Sequence, residues 1–307
     1  MNIILHIGSD KTGTSAIQKA LHKHHHALKE LGIIYPKLNN SNHHGSLAVE
    51  LKAGRQGSAW KKLKTCMQAE PDTIIISSEV FCTLSKKDII LLSNWLKPES
   101  VTVLSYLRTA DQYLESGLMQ NLKSCKSEQD FKRLYLTAKW LPALINPLVY
   151  QASLKSRFVL KWNKHFKPKR MIVRQYHKNL WKNGNIIDDF LYQTSIDKIV
   201  SDIRIESSRE NITPCLEEIY SNVMLQASET NLATGPDLKQ QYQKQASEQL
   251  PTTSLAKRKL AYYLSKLIHQ SVVKKMDADF IEPEFEANHH APSINEIREK
   301  VAQKPIR

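Results

Sequence analysis

The chain is poor in the residues that staple, metallate or anchor a protein. Its 307 residues hold four cysteines, Cys66, Cys82, Cys125 and Cys215, none of them in a C-x-x-C pair. That excludes a zinc-knuckle framework and a disulfide scaffold, and it fits free or buried thiols in a reducing compartment. No apolar run approaches the roughly 20 residues that a membrane-spanning helix needs. The first β-like run already starts at Ile3, with no signal peptide ahead of it, so a cytoplasmic protein is expected. Aromatic residues make up only 7%, and there is no RNP-like aromatic block, zinc-finger spacing or basic heptad helix. These are the usual marks of nucleic-acid readers, and their absence argues against nucleic acid as a partner. No internal repeat is visible.

Positive charge, by contrast, is in excess. Forty-four Lys and Arg face 30 Asp and Glu, for a formal charge of +14. Such a surplus steers anionic partners through long-range attraction. A chain of this length can also bury a substantial core, as one large domain or a domain with an appendage.

The first twenty residues carry the strongest local signal. Ile3 to Ile7 is an apolar run that predicts a buried parallel strand. A loop follows from Gly8 to Gly13. Ser15 to Leu31 then predicts a helix with Ala16, Ile17, Ala20 and Leu21 on one face. A strand, a Gly-bearing loop and a helix make a phosphate cradle, because loop N–H groups and the positive end of the helix dipole converge on one anion. Gly8, Gly13 and Ser15 fall on the G-x-x-x-x-G-K-[ST] pattern, but position 14 is Thr and the lysine sits inside the loop as Lys11. A phosphoryl-transfer enzyme needs that lysine, with magnesium, against a highly charged transferring group. A sulfuryl group carries less charge and can be held by backbone amides and one repositioned lysine.

Beyond this segment the pattern alternates. Gly32 to Pro36 predicts a short strand, Leu47 to Leu51 and Ala59 to Met67 helices, Asp72 to Ser77 a strand, and Lys87 to Leu96 a helix. Ser100 to Tyr106 predicts another strand, followed by a helix from Asp111 to about Leu122. Met171 to Arg174 and Ile186 to Tyr192 predict a further strand and helix. This alternation predicts a parallel sheet flanked by helices, a P-loop NTPase-like three-layer α/β fold. The expected division is a core over residues 1–200 and a helical C-terminal extension over 201–307. In the extension, Pro214 to Ala227 and Ser254 to His269 read as helices, Asn231 to Pro251 as a polar loop, and Asn288 to Arg307 as a tail.

Lys11-Thr12-Gly13-Thr14-Ser15 resembles the K-[ST]-G-[ST]-[ST] loop of the sulfotransferase superfamily, which grips a 5′-phosphosulfate. That family's 3′-phosphate site is a strand ending in Arg with a Ser eight residues on, and Arg108 and Ser116 have this spacing. Gly32-Ile33-Ile34-Tyr35-Pro36 and the V-R-Q-Y-H…G-N-I-I-D-D-F-L segment, with an Arg or aromatic after a strand and then a D-F-L helix, are also similar to bacterial members. The resemblance implies that 3′-phosphoadenosine 5′-phosphosulfate is the co-substrate and 3′-phosphoadenosine 5′-phosphate the product, with no metal required. Gly8, Lys11, Thr12, Gly13, Thr14, Ser15, Arg108 and Ser116 would bind it. The acceptor it implies is a hydroxyl on a carbohydrate or glycan. Unlike Golgi carbohydrate sulfotransferases, the chain shows no N-terminal anchor, which suits a cytosolic bacterial enzyme.

The chemistry needs a cation at the leaving bridging oxygen and a base for the acceptor proton. Lys11 is the candidate cation. Glu79 at a strand end, and His43 and His44 in a polar loop, are the candidate bases, with Glu79 preferred. Ser78 is placed either to touch the donor or to hold Glu79. His22 and His26, four apart on a helical face, have metal-ligand spacing, but the H-E-x-x-H pattern is missing and lysines flank them, so a solvated basic face is expected; His289 and His290 read the same way. Aromatic and basic residues between Tyr135 and Trp162 are candidates to line an acceptor groove. Two other classes fit parts of the pattern: a P-loop kinase acting on a small molecule, and a non-enzymatic nucleotide or nucleic-acid binder.

Overall fold

A computed structural model describes residues 1–140, 157–201, 203, 205, 216–227 and 240–245. Its centre is a parallel sheet of five strands: β1 (Asn2–His6), β2 (Ile33–Ile34), β3 (Thr73–Ser77), β4 (Val101–Leu107) and β5 (Arg170–Gln175). Their order is β2-β3-β1-β4-β5, with every pairing parallel. β1 therefore lies in the middle, with Ile3 paired to Ile74 on one side and to Val101 on the other.

Strands buried on both faces need apolar residues at successive positions, not alternate ones. N-I-I-L-H, T-I-I-I-S and V-T-V-L-S-Y-L supply them. Ile3, Leu5, Ile74, Ile76, Val101, Val103 and Val173 point to one face. There they meet α3 (Gly45–Lys52), α4 (Ser58–Gln68), α5 (Lys86–Leu96) and α8 (Phe158–Phe166). Ile4, Ile75, Leu104, Tyr106 and Ile172 point to the other. These pack on α1 (Thr14–Lys23), α2 (His25–Glu30) and α9 (Ile186–Gln193). The α/β class, the parallel sheet and the helical flanks are as the alternation predicts.

The helix predicted over 15–31 is broken in two at His24, which leaves helical geometry at φ −97°, ψ 12°. Imidazoles account for the break. His25 Nδ1 bonds the His22 carbonyl oxygen at 2.8 Å, competing with the helical ladder. The His25 and His26 rings pack 3.9 Å apart. His22 stacks with His25, and His22 and His26 do not lie on one continuous helix. Among the described residues no group of three or more potential ligands gathers to hold a metal, and no helix is long and apolar enough to cross a membrane.

The described residues fall into two compact units. One takes in Met1–Thr109 and the described part of Ser153–Asn211, and so holds the whole sheet. In the other, α6 (Ala110–Lys123) and α7 (Glu128–Trp140) group with α10 (Leu216–Ala227) around Met119, Leu122, Phe131, Ile219, Tyr220 and Val223. Tyr220 Oη donates to Glu128 Oε1 at 2.6 Å, and Lys132 pairs with the same carboxylate. The helical unit thus draws two of its helices from the middle of the chain, not only from beyond residue 200. Of the expected loop over 231–251 only 240–245 is described, and it is helical, not a loop. The expected helix over 254–269, the tail with His289 and His290, and Cys215 lie outside the described residues. So do the side chains of most of the proposed groove between Tyr135 and Trp162.

Candidate functional site

In an open parallel sheet, ligands bind beyond the carboxyl ends of the strands, where neighbouring connections leave in opposite directions. Here β1 leads through α1 and α2 on one face toward β2, while β3 leads through α5 on the other face to β4. The loop from Ile7 to Gly13 leaves β1 at that point.

The loop is braced from inside. Thr12 Oγ1 donates to the Ser9 carbonyl at 2.6 Å, and Thr14 Oγ1 donates to the same oxygen at 3.2 Å. Both threonines are buried. Their hydroxyls hold the loop's shape, leaving its amides as the groups on offer. Lys11 takes a left-handed backbone at φ 63°, unusual for a residue with a side chain. Gly13 follows at φ 72° and is the residue from which α1 starts. A Cβ on Gly8 would lie 2.5 Å from Thr14 Oγ1 and 3.1 Å from His6 Nε2, so only glycine fits the first turn of the loop.

The start of α1 differs from those of α4, α5 and α9. The first turn of α4 is served by the Glu50 carboxylate, which accepts from Gly57, Ala59 and Trp60 N–H at 3.0, 2.8 and 2.9 Å. Ser85 and Asp88 form a capping box on α5, and Asn185 caps α9. Gly13 offers α1 no side-chain cap, and its first turn contains no acidic residue. Unsatisfied amides and the positive end of the dipole therefore face the loop. The Lys11 ammonium, half-exposed, makes no ion pair or hydrogen bond among the described residues.

Arg108, the first residue after β4, reaches into this loop. Its Nη1 donates to the Lys11 carbonyl at 2.9 Å, across 97 positions of chain. Its guanidinium lies 5.3 Å from the centre of the Tyr176 ring. Tyr176 follows β5, and its signal in the sequence is its place as an aromatic residue immediately after a strand end. Burial pushes its phenol pKa up, so the hydroxyl stays protonated. The structure thus brings Gly8, Lys11, Thr12, Gly13, Thr14, Ser15 and Arg108 together. Ser116 lies within α6, in the other unit.

The candidate bases sit at the carboxyl end of β3, beside β1. His44 N–H donates to the Ser77 carbonyl at 2.9 Å, drawing the start of α3 against the strand end. The His44 ring is fully occupied: Nδ1 accepts from Ser77 N–H at 2.9 Å and Nε2–H donates to the Pro36 carbonyl at 2.8 Å. Burial drives its pKa down to about 4. Neither nitrogen is open to a substrate proton, so His44 is a fastener between the Pro36 segment and β3, and the expectation of a base there gives way to a structural role. His43 is exposed; its Nδ1 accepts from Gly45 N–H at 3.1 Å. Glu79 is exposed at the start of a 3₁₀ turn over Glu79–Thr83. Ser78 is buried; its Oγ accepts from Val80 N–H at 3.1 Å and caps that turn.

A second buried imidazole, unremarked in the sequence, underlies the loop. His6 Nδ1 bonds Ser77 Oγ at 2.9 Å, and Gln18 Nε2 donates to the same oxygen at 3.2 Å. His6 Nε2 has no partner and faces the underside of Gly8. Burial lowers its pKa to about 3, so the ring is neutral at physiological pH.

On the far side, Asp189 of α9 is buried and gathers four donors. Tyr106 Oη approaches at 2.9 Å, Arg174 Nη2 at 2.9 Å, Arg174 Nε at 3.4 Å and Lys182 N–H at 3.1 Å. Arg174 Nη2 also donates to the Leu180 carbonyl at 2.6 Å. This network ties the segment after β5 to the sheet.

Comparison with known proteins adds one partial likeness. Over 126 residues the chain is 32% identical to an uncharacterized protein of Archaeoglobus fulgidus. The match takes in 40% of this chain and 30% of that protein, so the chain spans less than a third of this relative's length. No family model and no solved structure matches.

Proposed function

We propose that the chain is a sulfotransferase with a P-loop NTPase-like core. It moves a sulfuryl group from 3′-phosphoadenosine 5′-phosphosulfate to a hydroxyl, on a carbohydrate or glycan. One observation carries the reading: the K-T-G-T-S loop at an uncapped helix start, with Arg108 bonded into it from the neighbouring strand. A donor with an anionic group at each end needs two such grips side by side. The loop amides and the start of α1 suit the 5′-phosphosulfate, and the Arg108 fork suits the 3′-phosphate.

In the proposed step the acceptor oxygen attacks sulfur in line. A new O–S bond forms as the bond from sulfur to the bridging oxygen of the 5′-phosphate breaks. The electron pair leaves on that oxygen, which Lys11 stabilises, and the acceptor proton passes to Glu79.

The test is calorimetric titration with 3′-phosphoadenosine 5′-phosphate without magnesium, beside ATP with magnesium. Binding of the former, weakened at least tenfold in Arg108→Ala, is the expected result. Preference for ATP with magnesium would make the chain a kinase-like phosphotransferase. Binding of neither, with strongly salt-dependent binding to RNA or DNA, would make it a non-enzymatic binder.

A further inference from the structure

We propose that Tyr176 is a positioning residue, a strut that holds the Lys11–Gly13 loop and Arg108 in one frame so that the two grips bind cooperatively. The inference rests on the donor assignment above and adds a residue and a coupling to it.

Three surfaces of the Tyr176 ring are engaged. Its backbone continues the sheet: Gln175 pairs with Leu107, and Tyr176 N–H donates to the Leu107 carbonyl at 2.6 Å. Tyr176 is thereby fixed beside Arg108, whose guanidinium carbon lies 5.3 Å from the ring centre, within cation–π range. A second edge abuts the loop. A Cβ on Gly13 would lie 2.8 Å from Tyr176 Cε2 and 3.5 Å from its Oη, so the ring occupies the space that the missing side chain leaves. Behind it, Trp181 packs edge-on with ring centres 4.8 Å apart. Trp181 is held in turn by its neighbours, since Leu180 O accepts from Arg174 and Lys182 N–H donates to buried Asp189.

The ring therefore has a stiff back and two functional edges. Arg108 also grips the Lys11 carbonyl, which closes a triangle of loop, guanidinium and phenol ring. An anion that fixes Arg108 fixes the loop as well, and coupling of this kind is reciprocal.

The experiment uses the full chain and 3′-phosphoadenosine 5′-phosphate in calorimetry, with Tyr176→Phe, Tyr176→Leu, Arg108→Ala and the Tyr176→Leu/Arg108→Ala double variant. Tyr176→Leu is expected to weaken binding by about 3- to 30-fold, the span of a cation–π contact from exposed to desolvated. Tyr176→Phe keeps the ring and stays within about twofold of the parent. In the Leu background, Arg108→Ala costs less than it does alone, because a guanidinium already released from its frame has less to lose. A Phe variant as weak as Leu, an unchanged affinity in Leu, or strictly additive losses would overturn the strut while leaving the donor assignment intact. No binding by the parent protein would overturn both.

Discussion

Acidification should destabilise the sheet-bearing unit through two histidines that never touch solvent. His6 and His44 lean on the same residue, Ser77, one through its hydroxyl and the other through its backbone N–H. Burial holds their pKa values at about 3 and about 4, against about 6.5 in the unfolded chain. Both shifts are downward, so the unfolded state binds more protons wherever the pH lies between the folded and unfolded values, and stability rises with pH there. The stabilisation is complete above about pH 6.5 and drains away as the pH falls, toward about 4 for His44 and about 3 for His6. Between pH 7 and pH 5 each contributes a loss of about 2 kcal/mol, about 4 kcal/mol together. With a urea slope of about 2 kcal/mol/M, the midpoint should fall by about 2 M. Tryptophan fluorescence is a suitable readout, since Trp60, Trp95, Trp162 and Trp181 all lie in this unit. The decisive comparison is with His44→Gln, which is less stable at pH 7 but should show about half the parent's sensitivity between pH 7 and 5. Carboxylates titrate alike in both proteins and cancel. A variant that keeps the parent's full pH slope would refute the assignment of a neutral, doubly bonded His44.

Gly13→Ala is expected to cost about 1–2 kcal/mol in stability from the left-handed backbone alone. It should also weaken 3′-phosphoadenosine 5′-phosphate binding more than tenfold, because the new methyl displaces Tyr176; thermal melts and calorimetry read the two effects separately. Glu79→Gln should leave the melting temperature within a degree or two, since the side chain is exposed. It should lower sulfuryl turnover by about 10²–10⁴-fold; full activity in a radiolabelled-donor assay would move the base to His43.

Much of the scaffold was legible because its signals are local. Apolar runs at Ile3, Thr73 and Val101 report burial on both faces, and the loop's glycines and threonines report its conformation directly. What stayed hidden depends on partners far away in the chain. His44 looks like a base in a polar loop, and only the approach of Pro36 and Ser77 turns it into a fastener. His6 reads as one polar interruption in an apolar strand; its neutral state is set by burial, which no neighbour in sequence announces. Tyr176 lies well over a hundred residues from Gly13, and the two meet only because β5 closes the edge of the sheet next to β4. The break at His24 was missed for a different reason. Helical periodicity continues through it, and the competing bond from an imidazole to a carbonyl is a weak local effect that periodicity does not register.

The central position of β1 has a consequence for how the protein comes into being. The strand that bears the loop is made before its neighbours, and its partner in β3 lies 71 positions later, as His6 to Ser77 measures. Arg108, which fastens the loop, follows Lys11 by 97. On the ribosome, β1 must therefore wait as an apolar segment with two unsatisfied edges until most of the sheet has been synthesised. Contacts of such long range close slowly and leave nascent chains prone to aggregation. Fragments that stop short of β4 should be captured by chaperones rather than fold, and the loop after β1 is braced only when Arg108 arrives.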